Sequence, residues 1–297
     1  MSGDRLRAAI ALYDRFTPDG MDRRLFMAEL TRIAGGAAAA GLLLSSIAAD
    51  AQAGPQVALD DPRIVTTGEQ NDFGVGRPID CYIAEPRANA ANKPSVLVIH
   101  ENRGLNDHIR DVTRRLAVAG FRAMAPDFLS LSGGTPADEN RARQMIAALD
   151  PVETVNAGVA IIRALGERGA SRVGAVGFCW GGALVNRLAV AAGDALTAAV
   201  PFYGPAPDPS EAARVRAHML VILAGLDQRV NATARPWIAA LNAAGRDVRA
   251  LEYPNVDHAF HNDTSAARYN REAAEQAWAA TLSFFRRHLE DRRPFHG

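Results

Sequence analysis

Short apolar runs alternate with longer stretches of helical periodicity from Gly54 onward, and this alternation leaves the chain few possible architectures. Val96 to Ile99 is a continuous apolar run, typical of a strand buried on both faces, and 106–119 has the pattern of a helix that ends at Gly120. Strands separated by helices favour an α/β fold with a mostly parallel central sheet and helices on both faces. Because no linker or internal repeat interrupts the pattern, residues 54–297 are predicted to form one domain.

The composition argues against several kinds of partner and cofactor. The 297 residues include 33 basic and 33 acidic side chains, and a formal net charge of zero argues against nucleic acid or an anionic membrane as the main partner. Two cysteines cannot build a disulfide framework. No dinucleotide or P-loop motif is present, and His100, His108 and His218 lack metal-ligand spacing, so the sequence predicts no cofactor and no metal.

The first 53 residues have a composition of their own. Arg23 and Arg24 precede the stretch 33–49, which carries no charge, and an A-x-A sequence ends at Ala53. These features resemble a twin-arginine export signal, so residues 1–53 are predicted to be an export leader cleaved after Ala53. The mature protein would then be periplasmic, with no stable membrane span. Since about twenty residues precede the arginines and Glu29 interrupts the approach, the alternative is a retained helical arm on a cytoplasmic protein.

A lone thiol lies where a predicted strand turns into a predicted helix, in the sequence GFCWG at 177–181. Gly-x-Cys-x-Gly in this position has the form of a nucleophile elbow with cysteine in place of serine. The glycines allow strand and helix to approach closely, and a helix N-terminus favours both a thiolate and an oxyanion. Cys179 is therefore predicted to be a nucleophile. The alternative is a buried structural thiol, which is the expectation for Cys81 in an early strand.

The partners of such a nucleophile should follow in the order acid, then histidine. Asp227 ends a predicted strand and His258 lies just past the next one, so both are expected at the carboxyl edge of the sheet, where open α/β folds bind ligands. Asp227 is predicted to orient His258, and His258 to act as the base. Asp257 competes for the role of the acid and His261 for the role of the base.

A carboxylate and two backbone amides complete the predicted site. Glu101 closely follows a buried apolar strand, a position that is costly for an acid unless it is hydrogen-bonded or functional. The backbone N–H groups of Asn102 and Trp180 are expected to form an oxyanion hole.

The motifs HENRGL, APDFLS, GFCWGG, PFYG, AGLDQRV and DHAF together resemble, in the same order, those of the dienelactone hydrolase family of α/β-hydrolases, over about 63–289. The resemblance implies Cys179 as nucleophile, His258 as base and acid, and Asp227 as the group that orients it. It also implies that Glu101 contacts the resting thiol and helps to convert it to the thiolate. Tyr203 is a candidate pocket residue, with ordinary packing at the sheet edge as the alternative. The implied activity is carboxymethylenebutenolidase-like hydrolysis of a small carboxylic ester or lactone through a cysteinyl thioester.

The chain departs from the family where the anionic substrate is held. Family members that act on the dienelactone bind its carboxylate with arginines, one of them four residues after the histidine, where this chain has Asn262. Arg103, Arg141 and Arg143 are candidate replacements, although each is more simply explained as a solvated surface charge. The departure weakens the expectation of a dienelactone substrate and leaves the ester-hydrolase chemistry intact.

Two alternatives stay open at this point. A pocket without carboxylate-binding arginines would favour a broad esterase or thioesterase with no lactone preference. The second is a non-catalytic or redox-sensing protein with a hydrolase fold. A redox role usually needs a resolving thiol, and Cys81 is predicted to lie in a different strand from Cys179.

Overall fold

A computed structural model of the protein describes residues 5, 8, 9, 12, 23–48, 55–88, 93–170, 172–265 and 267–290. Eight strands of these residues form one sheet, namely β1 (Ile64–Asn71), β2 (Ile79–Pro86), β3 (Ser95–Ile99), β4 (Arg122–Pro126), β5 (Val173–Phe178), β6 (Ala198–Phe202), β7 (His218–Ala224) and β8 (Val248–Tyr253). Their order is β1-β2-β4-β3-β5-β6-β7-β8, in which β2 is antiparallel to both neighbours and all other pairs are parallel. The predicted α/β fold with a mostly parallel sheet is confirmed.

Helices pack on both faces of this sheet. The longer ones are α1 (Arg23–Ala34), α2 (Ala37–Ala48), α3 (Asp107–Val118), α4 (Glu139–Ala147), α5 (Pro151–Glu167), α6 (Trp180–Ala191), α7 (Gln228–Ala243) and α8 (Arg271–Leu289). One large hydrophobic cluster joins the sheet to α5, α6 and α7, and a second joins it to α3 and α8. The two clusters are the two sides of a single core divided by the sheet.

Strand β3 shows why its sequence is apolar at every central position. Leu97 and Ile99 belong to the cluster with α5, α6 and α7, whereas Val96 and Val98 belong to the cluster with α3 and α8. All four side chains are fully buried. Since successive residues of a strand point to opposite faces, a strand covered on both faces has no position for a solvated side chain.

The N-terminal helices α1 and α2 meet at Gly35 and Gly36 and bury a small cluster of their own. Phe26, Leu30 and Ala40 lie in this cluster, and Ala267 of the main domain packs against it. The predicted cleavage position after Ala53 lies outside the described residues, so the export leader and the retained arm both stay predictions. Among the described residues no single helix has the length and hydrophobicity to cross a membrane; α4 and α5 reach them only as a pair bent by 97°.

Candidate active site

Cys179 lies in the sharp turn between β5 and α6. Its backbone has φ 55° and ψ −113°, a region that non-glycine residues seldom occupy. A Cβ on Gly177 would overlap the backbone carbonyl of Gly181, and a Cβ on Gly181 would overlap the carbonyls of Ile99 and His100. Both glycines are therefore required by close contacts between backbones. The turn places the half-buried thiol at the N-terminus of α6 and the carboxyl edge of the sheet.

His258 and Asp227 form a buried pair beside this thiol. The Nδ1–H of His258 donates to Oδ2 of Asp227 at 2.5 Å, and the same imidazole interacts electrostatically with Cys179. Asp227 is fixed in turn because its Oδ1 accepts the N–H of Val230 at 3.1 Å, as the N-cap of α7. The loops after β7 and β8 thus bring Asp227 and His258 next to Cys179.

The charges of this triad support one another. Burial alone would lower the pKa of His258, but the negative charge of Cys179 and the hydrogen bonds with Asp227 and Cys179 outweigh burial and raise that pKa well above its usual value. Burial likewise would raise the pKa of Asp227, but the hydrogen bond and charge of His258 lower it. The arrangement therefore favours the protonated imidazolium form of His258 beside the carboxylate of Asp227.

Glu101 is buried next to this triad, and its partner is Asn262. The Nδ2 of Asn262 donates to Oε2 of Glu101 at 2.6 Å, and Oδ1 of Asn262 is itself held by the N–H and hydroxyl of Thr264. Oε1 of Glu101 has no hydrogen-bond partner within the described part of the chain. The thiol of Cys179 therefore interacts with His258, and one carboxylate oxygen of Glu101 is left without a partner among the described residues.

His100 is a supporting residue to which the sequence assigned no role. Its Nδ1–H donates to the carbonyl of Glu101 at 2.8 Å, and its Nε2 accepts the N–H of Phe128 at 3.2 Å. Complete burial lowers the pKa of His100, which keeps the ring neutral in the tautomer that these two bonds require. The indole of Trp180 stacks on this ring at a centroid distance of 5.2 Å. His100 therefore fixes the backbone at Glu101 and the residue that follows the nucleophile.

The predicted oxyanion hole has the elements it needs. Asn102 and Trp180 both lie at the wall of the cavity that contains Cys179. Trp180 is the first residue of α6, so its N–H has no carbonyl within the helix to bind. Neither N–H donates to another residue that the structure describes.

Tyr203 packs beside His258 and does not line the cavity, which fits the packing alternative for this residue and not the pocket role. It is fully buried, its ring centroid is 5.0 Å from that of His258, and it is absent from the residues that line the cavity. Burial, with the charges of Glu101 and Cys179, raises the pKa of Tyr203 well above its usual value, so the phenol stays protonated. Tyr203 supports the histidine by packing.

A cavity of about 260 Å³ opens in front of the triad and is rich in arginine. Arg103, Arg143, Arg229 and Arg268 line it, whereas Glu101 is the one carboxylate among its lining residues in the described chain. The expectation that Arg103 and Arg143 are solvated surface charges was wrong, because packing of α4 over the cavity buries Arg143 and the side chain of Arg103 is 10% exposed. Arg141, two residues before Arg143 on the same helix, is exposed as expected.

The loop that carries His258 is braced by a second histidine–aspartate pair. The Nδ1–H of His108 on α3 donates to Oδ1 of Asp263 at 2.8 Å, and Oδ2 of Asp263 accepts from Arg115 at 2.5 Å and from Gln56 at 2.9 Å. His261, the competing base, lies on the same loop but away from the cavity and stacks on a strand residue. Burial and the nearby charges of Arg115 and His108 lower its pKa well below the usual value.

Known proteins are similar to this chain over most of its length. A family model described as the dienelactone hydrolase family matches residues 79–289. A protein of Saccharolobus solfataricus named "Putative carboxymethylenebutenolidase" is 30% identical over 71% of this chain and 95% of its own length. Protein usf of Aquifex pyrophilus is 33% identical over 70% and 93% of the two chains. A dienelactone hydrolase-like promiscuous phosphotriesterase from metagenomic libraries matches in structure with a TM-score of 0.66 at 25% identity, over 77% of this chain and all of its own. The chain belongs to the dienelactone hydrolase family and has its α/β-hydrolase fold.

Proposed function

We propose that this protein hydrolyses a small carboxylic ester or lactone through a thioester on Cys179. The observation that carries the proposal is the hydrogen bond from His258 to Asp227, with the thiol of Cys179 interacting with the same imidazole at the wall of a small cavity. A thiol, a histidine and an orienting carboxylate in this order are the parts of nucleophilic acyl transfer.

Acylation begins with the thiolate. Sulfur attacks the carbonyl carbon, a C–S bond forms, and the π electrons move to the carbonyl oxygen, which the N–H groups of Asn102 and Trp180 would hold. When the tetrahedral intermediate collapses, the C–O bond to the alcohol breaks and Nε2–H of His258 donates its proton to the leaving oxygen. Asp227 keeps His258 in the orientation and tautomer that this transfer needs.

Deacylation uses the same groups in reverse. Neutral His258 takes a proton from water, the hydroxide oxygen attacks the thioester carbon, and the C–S bond breaks to return the thiolate and a carboxylic acid. Since a thiolate leaves more readily than an alkoxide, the position of this water governs the step. Glu101 borders the same space, and its Oε1 has no partner among the described residues, so we assign it as an alternative first acceptor of the thiol proton, which then has to pass to His258 before the alcohol leaves.

The cavity favours a substrate that carries its own negative charge. Arg143 and Arg103 face the cavity and are both bridged to Glu139 of α4, at 3.3 Å and 3.1 Å. A substrate carboxylate entering beside these guanidinium groups would gain charge-assisted hydrogen bonds in a largely buried setting. We therefore infer a carboxylated ester or lactone, in contrast to the expectation drawn from Asn262 alone.

The chain itself provides a matched control for this inference. Arg143→Gln should lower kcat/KM for a carboxylated lactone or ester by about tenfold to a hundredfold, because one charge-assisted hydrogen bond is lost, while a neutral ester of the same size is affected much less. Arg141→Gln, on the same helix but exposed, should change neither. Equal losses for both substrates, or none, would contradict the inference, and activity in Cys179→Ala would contradict the mechanism.

The properties of Cys81, the second thiol, argue against a redox-sensing role for Cys179. Cys81 is buried in β2, its Sγ–H contacts the carbonyl of Ile79 at 3.6 Å, and burial raises its pKa to about 12. A thiol with so little thiolate is a poor resolving partner for Cys179. These features favour hydrolysis over thiol sensing.

A further inference from the structure

Two histidines and an aspartate meet at the edge of the sheet opposite the active site. His218 is the first residue of β7, Asp247 directly precedes β8, and His288 is in the last turn of α8. Strands β7 and β8 are parallel, so their amino ends lie away from the carboxyl edge that holds Cys179. The cluster is therefore separate from the catalytic machinery.

The geometry of this cluster is compact. One ligand atom from each residue lies within 4.8 Å of the other two, and His218 Nδ1 is 2.6 Å from Oδ2 of Asp247. The imidazole rings of His218 and His288 face each other with centroids 4.1 Å apart and a tilt of 32°. Three donors from three separate elements thus lie close together.

The backbone holds each of these residues in place. The N–H of His218 donates to Thr197, the carbonyl of Asp247 accepts the N–H of Met219, and the carbonyl of His288 accepts from Arg172 at 2.9 Å. The ligand atoms of a tetrahedral site with 2.0–2.1 Å bonds are roughly 3.3 Å apart, so side-chain rotation would have to change the present separations by about 1.5 Å or less. The arrangement is close to a ligand set before any ion arrives.

The chemistry of the donors selects a class of ion. Two imidazole nitrogens and one carboxylate oxygen suit Zn²⁺ and Cu²⁺ and are poor ligands for Mg²⁺ or Ca²⁺, which prefer oxygen. The half-exposed position leaves room for water at the remaining coordination position.

We propose that His218, Asp247 and His288 form a binding site for one divalent transition-metal ion of the Zn²⁺ class. The ion would join the last turn of α8 to the start of β7 and the entry of β8. Arg172 and Arg287 add positive charge nearby and limit the affinity, so a site in the micromolar range is expected. The site could not be predicted from the sequence, because its three ligands are distant in the chain and share no spacing motif.

Zn²⁺ titration of the untagged, chelator-treated full chain by calorimetry tests the proposal. The parent protein should be Cys179→Ala, which removes the active-site thiol as a competing ligand. We expect one Zn²⁺ per chain with a micromolar Kd, and an increase in Tm of about 5 °C at hundredfold excess over Kd. Absence of binding, or a Tm that does not rise, would overturn the proposal.

Variants in the same background locate the ion. His218→Gln and His288→Gln should each weaken Zn²⁺ binding at least tenfold and Asp247→Asn about tenfold, whereas Asp107→Asn, an exposed aspartate on α3, should leave Kd unchanged. Stoichiometric binding that persists in both histidine variants would place the ion elsewhere and refute the assignment. Co²⁺ absorption in the visible range provides an independent readout, since the intensity of its bands is lost together with the imidazole ligands.

Discussion

Two buried histidine–aspartate pairs lie within one region of this protein, and we assign catalysis to one and stabilisation of a loop to the other. His258 donates to Asp227 at 2.5 Å and His108 donates to Asp263 at 2.8 Å, and all four side chains are at most 8% exposed. The two pairs are nearly the same in local geometry. What differs is the surroundings of each carboxylate and of the second ring nitrogen.

The carboxylates have different additional partners. Asp227 receives one further hydrogen bond, from the backbone of Val230, so its charge is directed mainly at His258. Asp263 is shared among His108, Arg115 and Gln56 and is neutralised by them. The histidine of the first pair reaches a thiol in a cavity, whereas Nε2 of His108 is buried with no partner among the described residues. A histidine–aspartate pair is catalytic only where its free nitrogen meets a reacting group.

The largest expected effect is a loss of kcat, and it distinguishes Asp227 from Asp263. Asp227→Asn removes the acceptor that fixes the tautomer of His258, and kcat should fall by about 10³–10⁴ with little change in Tm. Hydrolysis of a carboxylated ester and thermal unfolding of the same preparation measure both quantities. A loss below tenfold would show that His258 is oriented by another group.

Asp263→Asn should show the reverse pattern. It leaves Arg115 buried without its full partner, and we expect a loss of about 3 kcal/mol of unfolding free energy, or roughly 6 °C in Tm, with kcat lowered less than tenfold. The pKa of Asp263 lies below its usual 3.8 because His108 and Arg115 outweigh burial. Its stabilisation is therefore present above that pH and is lost as the pH falls, so wild type and variant should converge in acid. A larger loss of kcat than in Asp227→Asn would reverse the comparison.

Titration of His258 and of His261, two histidines on the same loop, tests the electrostatics of the site without an activity assay. NMR should show His258 losing its proton at a pH well above 6.5, and His261 staying neutral through the neutral range. In Cys179→Ala the thiolate is gone while burial remains, so the pKa of His258 should fall. An unchanged pKa would mean that Cys179 carries no negative charge in the resting protein.

The smallest effect is expected at Asn262, which lies in the chain between His258 of the first pair and Asp263 of the second. Asn262→Ala removes the partner of Glu101 and should lower kcat/KM about fivefold, the value of one modest hydrogen bond. Thr264→Val should act in the same direction and less strongly, because the backbone N–H of Thr264 still holds Asn262. No change in either variant would show that Glu101 needs no positioning.

The triad could be predicted from the sequence, whereas the His108–Asp263 pair that braces the loop could not. Cys179, Asp227 and His258 each follow a strand of the same parallel sheet, so strand ends and chain order suffice to bring them together. His108 and Asp263 are 155 residues apart, and only the packing of α3 against the loop makes them partners. No sequence period encodes such a contact.

Two further features depend on tertiary structure in the same way. Whether Arg143 or Arg141 faces the cavity depends on how α4 lies over it, which the polar pattern of that helix does not specify. Strand β1 has exposed residues on both faces and lacks the alternation of apolar side chains that would have predicted it. It forms because β2 offers an edge for antiparallel pairing.

The most direct test of the mechanism is to trap the acyl-enzyme. The protein would be mixed with an ester substrate, quenched in acid during the first turnovers and analysed by intact mass and peptide mapping. We predict one acyl group per chain, attached to Cys179 and absent from Cys179→Ala, which should also be inactive. Turnover by Cys179→Ala, or an acyl group on any other residue, would contradict thioester catalysis at this site.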